Sequence, residues 1–294
     1  MAEKKTVKRR SNWYIYLITF ILTSIVLLLV VLSMRDVLFP EPQSSNLSAI
    51  GIADYRPEVS FNTNVIFMMS EAKGGVPDYY LLANYRPRDD ALVLVPIDKR
   101  LYSKAGGVSG DLSEIYSKSG ATGIITAIQN TIGVNCDYYF KFDKTALTDF
   151  IDLVGEVTAN VPYDLKSGDQ TIFESGTQSF NGQEVYDYIT FSEDGQDENR
   201  SAVVLATIAA GFMNENSRDK TAAELQSYAR KLVNTTDTNY KMEDFTENQS
   251  AYLYTTQYSY NIAENYVPLY NYDDSNRYII ADTSVATIKD RFNI

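Results

Sequence analysis

From about Thr63 the chain falls into short apolar runs separated by turn residues. "NVIFMMS", "DYYLLANYR" and "DALVLVPID" are rich in β-branched and aromatic residues over strand-like lengths, and "RPRD" between the last two reads as a hairpin turn. In "SGATGIITAIQNTIG" the period changes: Ile124, Ile125, Ile128 and Ile132 share a helical face that Gly133 ends. Strand "CDYYFKF" follows, and then "DKTALTDFIDLVG" predicts a helix with Asp143 as N-cap, Ala146, Leu147, Phe150, Ile151 and Val154 inward, and Gly155 as the stop. "EVTANVPYDL" reads as strand and "GQEVYDYITF" as a short helix. "RSAVVLATIAAGFMNEN" predicts a largely buried helix and "TAAELQSYARKLVN" an amphipathic one. Strands alternating with helices on one core give a layered α/β domain rather than a sandwich of sheets or a helix bundle. After Thr235 tyrosine and asparagine become frequent, and "YLYTTQYSYNIAENYVPLY" hints at strands. Its tyrosines suit half-buried strand positions or, alternatively, a saccharide-stacking surface.

The segment before this domain has a different pattern. Trp13 to Met34 is 22 residues without a charge, enough at about 1.5 Å per residue to span a bilayer core of about 30 Å. Lys4, Lys5, Lys8, Arg9 and Arg10 precede it, so the positive-inside bias keeps the N-terminus in the cytoplasm and exports the rest. The apolar stretch is longer than a signal-peptide core and no small-residue cleavage site follows promptly, which favours an uncleaved anchor. The expected organisation is a basic cytoplasmic tail at 1–12, a transmembrane anchor at 13–34, a linker at 35–62 and one extracytoplasmic domain at 63–294.

Charge and composition narrow the chemistry. Without residues 1–36 the chain keeps 20 basic and 36 acidic side chains, a net of −16, which repels nucleic acid. There is no histidine. Ser-His-Asp and Cys-His nucleophiles and HExxH zinc sites are therefore excluded, and catalysis would rest on carboxylates, arginines, lysines, tyrosines or an oxygen-bound metal. The single cysteine, Cys136, sits in a strand-like run and reads as a small core residue.

The order of these parts carries a resemblance. "IGVNCDYYFKFDKTALTDFIDLVGEVTANVPYDL", Ile132 to Leu165, resembles the central signature of the LytR-CpsA-Psr family. "VPDYYLLA" stands where that family has "GRsDtmml", "LVLVPIDKR" where it has "l.siPRDt", "GQEVYDYITFS" where it has "G..aL.YvRfR", and "GQDENRSAVVLATI" where it has "GDfgRt.RQq.vl". No single motif is specific, but their order and spacing are. The resemblance implies a three-layer α/β/α sandwich with a central mixed sheet, behind one N-terminal transmembrane helix. It also implies an apolar pocket for a polyprenyl (pyro)phosphate-linked glycopolymer, and transfer of the sugar phosphate to a hydroxyl of peptidoglycan.

Transfer of this kind needs acids to hold Mg²⁺, cations on diphosphate oxygens and a base near the acceptor. By the resemblance, Asp78 and Asp98 stand at the metal-serving acids, Asp197 at the candidate base or metal partner and Arg200 at a phosphate contact. Read alone, Asp78 is a turn acid, Asp98 a strand-end acid, and Asp197 with Arg200 a local pair in a first helical turn. Five basic positions of the family are neutral here: Val76 stands at or next to one, and the others are Ile97, Thr190, Ser192 and Val203. Each good arginine contact to a phosphate contributes about 1.5–3 kcal/mol, so the losses weaken the anion clamp severely. Lys99 and Arg100 are candidate substitutes, as are Arg86 and Arg88 if their hairpin folds over the site. Three functions follow: a membrane-anchored Mg²⁺-dependent glycopolymer transferase, a catalytically degenerate relative that binds lipid or glycan as a scaffold or regulator of cell-wall assembly, or a plain acidic extracellular interaction domain that shares only the fold.

Overall fold

The computed structural model describes residues 55–191, 218–258 and 263–294. The anchor at 13–34, most of the linker, the apolar helix predicted after Arg200, and Asp197 and Arg200 themselves lie outside the described residues. Among the described residues no helix is long and apolar enough to cross a membrane.

The centre is a six-stranded mixed sheet. Strands β1 (Thr63–Ser70), β2 (Tyr79–Arg86) and β3 (Ala91–Ile97) form an antiparallel meander, with Ile66 opposite Leu82 and Leu82 opposite Val95. A small hairpin, β4 (Ser103–Ala105) and β5 (Val108–Gly110), leads into helix α1 (Leu112–Ile132), whose return places β6 (Tyr138–Asp143) parallel to β1. Helix α2 (Lys144–Val154) follows, then strands β7 (Val157–Val161), β8 (Leu165–Ser167), β9 (Gln170–Phe173) and β10 (Gly176–Phe180) in two side hairpins, and helix α3 (Gly182–Thr190). Helix α4 (Arg218–Thr235), edge strand β11 (Asp237–Thr238) and helix α5 (Met242–Tyr258) come next. The chain ends with β12 (Ala263–Asn265) beside β3, the hairpin β13 (Tyr270–Tyr272) and β14 (Tyr278–Ile280), and helix α6 (Asp282–Phe292).

Alternation along β1 builds both cores. Ile66 and Met68 pack with Ile124, Ile128, Ile288 and Phe292 of α1 and α6. Val65, Phe67 and Met69 face the other way, toward α2, α4 and α5. A strand covered on both faces has no polar side to show, which is why this one reads as a continuous apolar run. Three layers result, α1 and α6 on one face of the sheet and α2, α4 and α5 on the other.

Local chemistry sets the helix ends. Asp111 and Asp143 accept backbone N–H groups of Glu114 and Ala146, each at 2.8 Å, and Asn181 with Glu184 forms a reciprocal capping box. Gly133 closes α1 in the left-handed conformation at φ 86°. At Gly182 the requirement is space: a Cβ there would meet the Thr148 carbonyl oxygen at 2.3 Å, so glycine lets α3 approach α2.

The expected strands at "YLYTTQY" are a correction, for Tyr252 to Tyr258 form the end of α5. Tyrosine and threonine favour strands intrinsically, but Phe245, Tyr252 and Thr255 recur at helical spacing and face the sheet, so burial on one stripe overrides propensity. Strand structure does occur further on, in β12 and β13.

Candidate functional site

The end of the sheet where β1, β3 and β6 finish and β2 begins gathers the polar chemistry. Ser70 lies opposite Asp143 in the parallel register, Asp78 immediately precedes β2, and Asp98 immediately follows β3. Topology thus brings together acids that the sequence separates by up to 65 positions.

Each predicted metal acid holds a cation. The Lys99 ammonium donates to Asp78 Oδ1 at 2.9 Å, with both side chains about half exposed (47% and 48%), so the pair adds about 0–1 kcal/mol to stability. Asp98 is different. Its side chain is 3% exposed, and Arg100 grips it in a fork, Nε to Oδ1 at 3.1 Å and Nη2 to Oδ2 at 2.9 Å. The Arg100 backbone N–H also donates to Oδ1, at 2.8 Å. A carboxylate so enclosed is tolerable because its charge is matched and its lone pairs are used.

Behind this pair stands the β13–β14 hairpin. Tyr270 Oη accepts the Asp98 backbone N–H at 3.0 Å, and burial raises the Tyr270 hydroxyl well above the usual tyrosine range. The Tyr270 and Tyr278 rings stack at 5.0 Å and 11°, and the Arg100 guanidinium lies 4.4 Å over the Tyr278 ring.

A further cation escaped sequence reasoning. Lys144 opens α2 directly after β6 and sits 4.5 Å over the Tyr186 ring of α3, while its backbone N–H donates to the Glu71 carbonyl at 3.4 Å. Burial, and then the charges of Glu71, Asp187 and Asp78, raise the Tyr186 hydroxyl. Lys144 and Tyr186 therefore belong to the same end of the molecule as Asp78. The sequence signal for Lys144 is only its place in the first turn of a helix that directly follows a strand.

Arg86 and Arg88 are corrected. They lie at the opposite end of β2, about 23 Å away at the rise of a strand. Arg86 is bound there to Asp89 at 3.0 Å, to the Asn84 side chain and to the Arg291 carbonyl. A short turn between antiparallel strands projects along the strand axis, so this hairpin has no means of folding back over the acids.

Beside the polar end lies an almost wholly apolar cavity of about 370 Å³ between the sheet and α2, α4 and α5. Phe67, Phe140, Phe150 and Leu225 are among its walls, and its lining reaches Met69 and Phe142, one residue short of Ser70 and Asp143. At the far end Tyr85 Oη donates to the Ala251 carbonyl at 3.1 Å and pairs with Thr255 Oγ1, joining β2 to α5. An apolar slot thus runs along the sheet to the charged end. Cys136 is apart from both, buried, with its thiol pushed up to about 12 by burial and by Asp137.

Magnesium commonly takes one or two carboxylates plus phosphate oxygens and waters. Asp78 and Asp98 supply two carboxylates at one sheet end, but in this structure Lys99 and Arg100 hold them, both Asp98 oxygens included. Among the described residues no group of three or more acidic or thiol side chains converges as a metal cage.

Known proteins agree with this architecture. A crystal structure from Eubacterium siraeum, of a protein described as a candidate transcription regulator, superposes with a TM-score of 0.73 at 25% identity, covering 85% of this chain and 96% of that one. The polyisoprenyl-teichoic acid–peptidoglycan teichoic acid transferase TagU of Bacillus licheniformis is 21% identical over 178 residues, 59% of this chain and 56% of the relative. TagU of Bacillus subtilis is 22% identical over 211 residues, 66% of this chain and 67% of the relative. The chain thus spans little more than half the length of the first of these relatives. The LytR_cpsA_psr family profile matches residues 50–293, most of the chain, and the chain therefore belongs to the LytR_cpsA_psr family.

Proposed function

We propose that this protein is an envelope enzyme that attaches a polyprenyl-diphosphate-linked glycopolymer to peptidoglycan. The carrying observation is the junction of an apolar slot with a charged end: one ligand with a long hydrocarbon tail and a diphosphate head satisfies both. The names of the two TagU relatives support the same substrate class.

In this reading the tail lies along β1 against Phe67 and Phe140, and the diphosphate rests among Lys99, Arg100 and Lys144. Arg100, whose Nε and Nη2 are held by Asp98 and whose guanidinium lies over Tyr278, adds a fixed positive charge, while the two lysines act as movable point charges. They replace part of the clamp lost at Ile97 and the other neutral positions. Asp78 would hold Mg²⁺ in exchange for Lys99, and Asp98 would join it on release from Arg100; the ion would neutralise charge on the phosphates. The acceptor hydroxyl attacks the sugar-linked phosphorus, its oxygen forms the new P–O bond, the bond to the prenyl phosphate breaks, and the proton passes to a base. By the resemblance that base is Asp197, and Arg200 is a further phosphate contact. The anchor at 13–34, with its N-terminus in the cytoplasm, would hold the domain at the outer face of the membrane.

One observation favours binding without turnover as the second reading. Both Asp98 oxygens are already taken by Arg100, a closed arrangement that suits a scaffold. A single-turnover assay with labelled lipid-linked glycopolymer and soluble peptidoglycan strands separates the two. Release of prenyl phosphate coupled to labelled strands supports transfer. Tight lipid binding with no release establishes the scaffold reading, and absence of both sinks the proposal.

A further inference from the structure

The β13–β14 hairpin does more than support Arg100. Tyr272 lies opposite Tyr278 in the antiparallel register, so both rings project from the same face, as does Tyr270 two residues earlier. The three rings form a series. Tyr270 holds the Asp98 amide, Tyr278 carries the Arg100 guanidinium, and Tyr272, 5.2 Å from Tyr278, is 61% exposed. The outermost ring is thus one ring away from the candidate phosphate contact.

Its presentation is rigid. The turn is tied by Asp273, whose Oδ1 accepts the Ser275 and Arg277 backbone N–H groups, each at 2.9 Å, and whose Oδ2 accepts Arg277 Nε at 2.7 Å. Asn276 takes the left-handed conformation at φ 56°, and Arg277 is packed 4.8 Å over Tyr102. A ring on such a turn binds with little loss of conformational freedom.

We infer that Tyr272 and its turn form a platform for the glycan strand of the acceptor, an uncharged or weakly charged chain of hexosamines. This rests on the transfer reading and adds the acceptor's place to it. A pyranose has a C–H face that stacks on an aromatic ring and a rim of hydroxyls and amides that needs polar partners. Exposed Asp274, Ser275 and Asn276 supply those partners beside the ring. Charge points the same way, since the exposed carboxylate of Asp274 disfavours a polyanionic occupant on this turn.

The test uses the full chain in detergent micelles, with soluble glycan strands released from peptidoglycan as one probe and a short-chain prenyl diphosphate as the other. Tyr272→Ala is expected to weaken glycan binding about five- to tenfold and Tyr272→Trp to keep it, with prenyl diphosphate binding unchanged in both. Equal glycan binding by wild type and Tyr272→Ala overturns the platform, as does prenyl diphosphate binding with no glycan binding at all. Glycan binding that depends on Tyr272 without any prenyl diphosphate binding keeps the platform and removes the transfer reading.

Discussion

Arg100 holds Asp98 by two parallel hydrogen bonds, at 3.1 and 2.9 Å, across a separation of only two residues. A carboxylate 3% exposed is costly to enclose without such a partner, and the backbone bend that lets the guanidinium reach back is secured by the Arg100 N–H to one of the same oxygens. The strand end is therefore built around this pair.

Removing one partner should show it. Arg100→Ala leaves Asp98 enclosed and unmatched, and urea unfolding is expected to report a loss of about 1–3 kcal/mol. Lys99→Ala, at a half-exposed pair, should stay within about 0.5 kcal/mol of wild type. A comparable loss in both variants would mean the Asp98 pair has no special weight.

The slot makes a separate prediction. Ala229 lines it and is 6% exposed, so Ala229→Phe places a ring in the space proposed for the prenyl tail. Prenyl diphosphate affinity should fall at least tenfold, while inorganic diphosphate binding holds, because the charged end is untouched. Calorimetric titration of the two ligands decides it, and an unchanged prenyl affinity would place the tail elsewhere.

Gly182→Ala tests the packing of α3 on α2. With a Cβ forced to 2.3 Å from a backbone oxygen, the helices must separate, at a cost of about 1–3 kcal/mol in denaturant unfolding. A neutral result would show that the contact is not tight in solution.

Cys136 gives a pH signature. Its folded thiol titrates at about 12, above the ordinary value of 9.0. Between those values the unfolded chain has lost the proton and the folded chain has kept it, so this group's contribution to stability falls as pH rises. Below about pH 9 it makes no difference. A thiol reagent at about pH 8 should label the folded protein negligibly and one site per chain in denaturant. Rapid labelling of the native state would contradict the burial.

Much of this is legible in the sequence, for local reasons. Asp143, Gly155 and Gly133 mark helix ends by chemistry that acts within one turn, and β2 and β3 declare their turn in "RPRD". What escapes is non-local. Tyr252 looks like a strand residue until the sheet beneath it fixes which side it buries. Lys144 looks like an ordinary first-turn lysine until β6 is placed parallel to β1. Arg86 and Arg88 look available to the acids because a sequence does not say which end of a strand a turn occupies. Asp78 and Asp98 emerge from the order of motifs, whereas their cation partners and the tyrosines behind them depend on register.

That one ligand spans slot and charged end can be put to titration of the full chain in detergent micelles with a short-chain prenyl diphosphate, with and without Mg²⁺. Saturable binding is expected, strengthened by Mg²⁺ and weakened about tenfold or more by Arg100→Ala and by Ala229→Phe, each variant still folded by circular dichroism. Binding indifferent to both substitutions, or none at all by the wild type, would refute it.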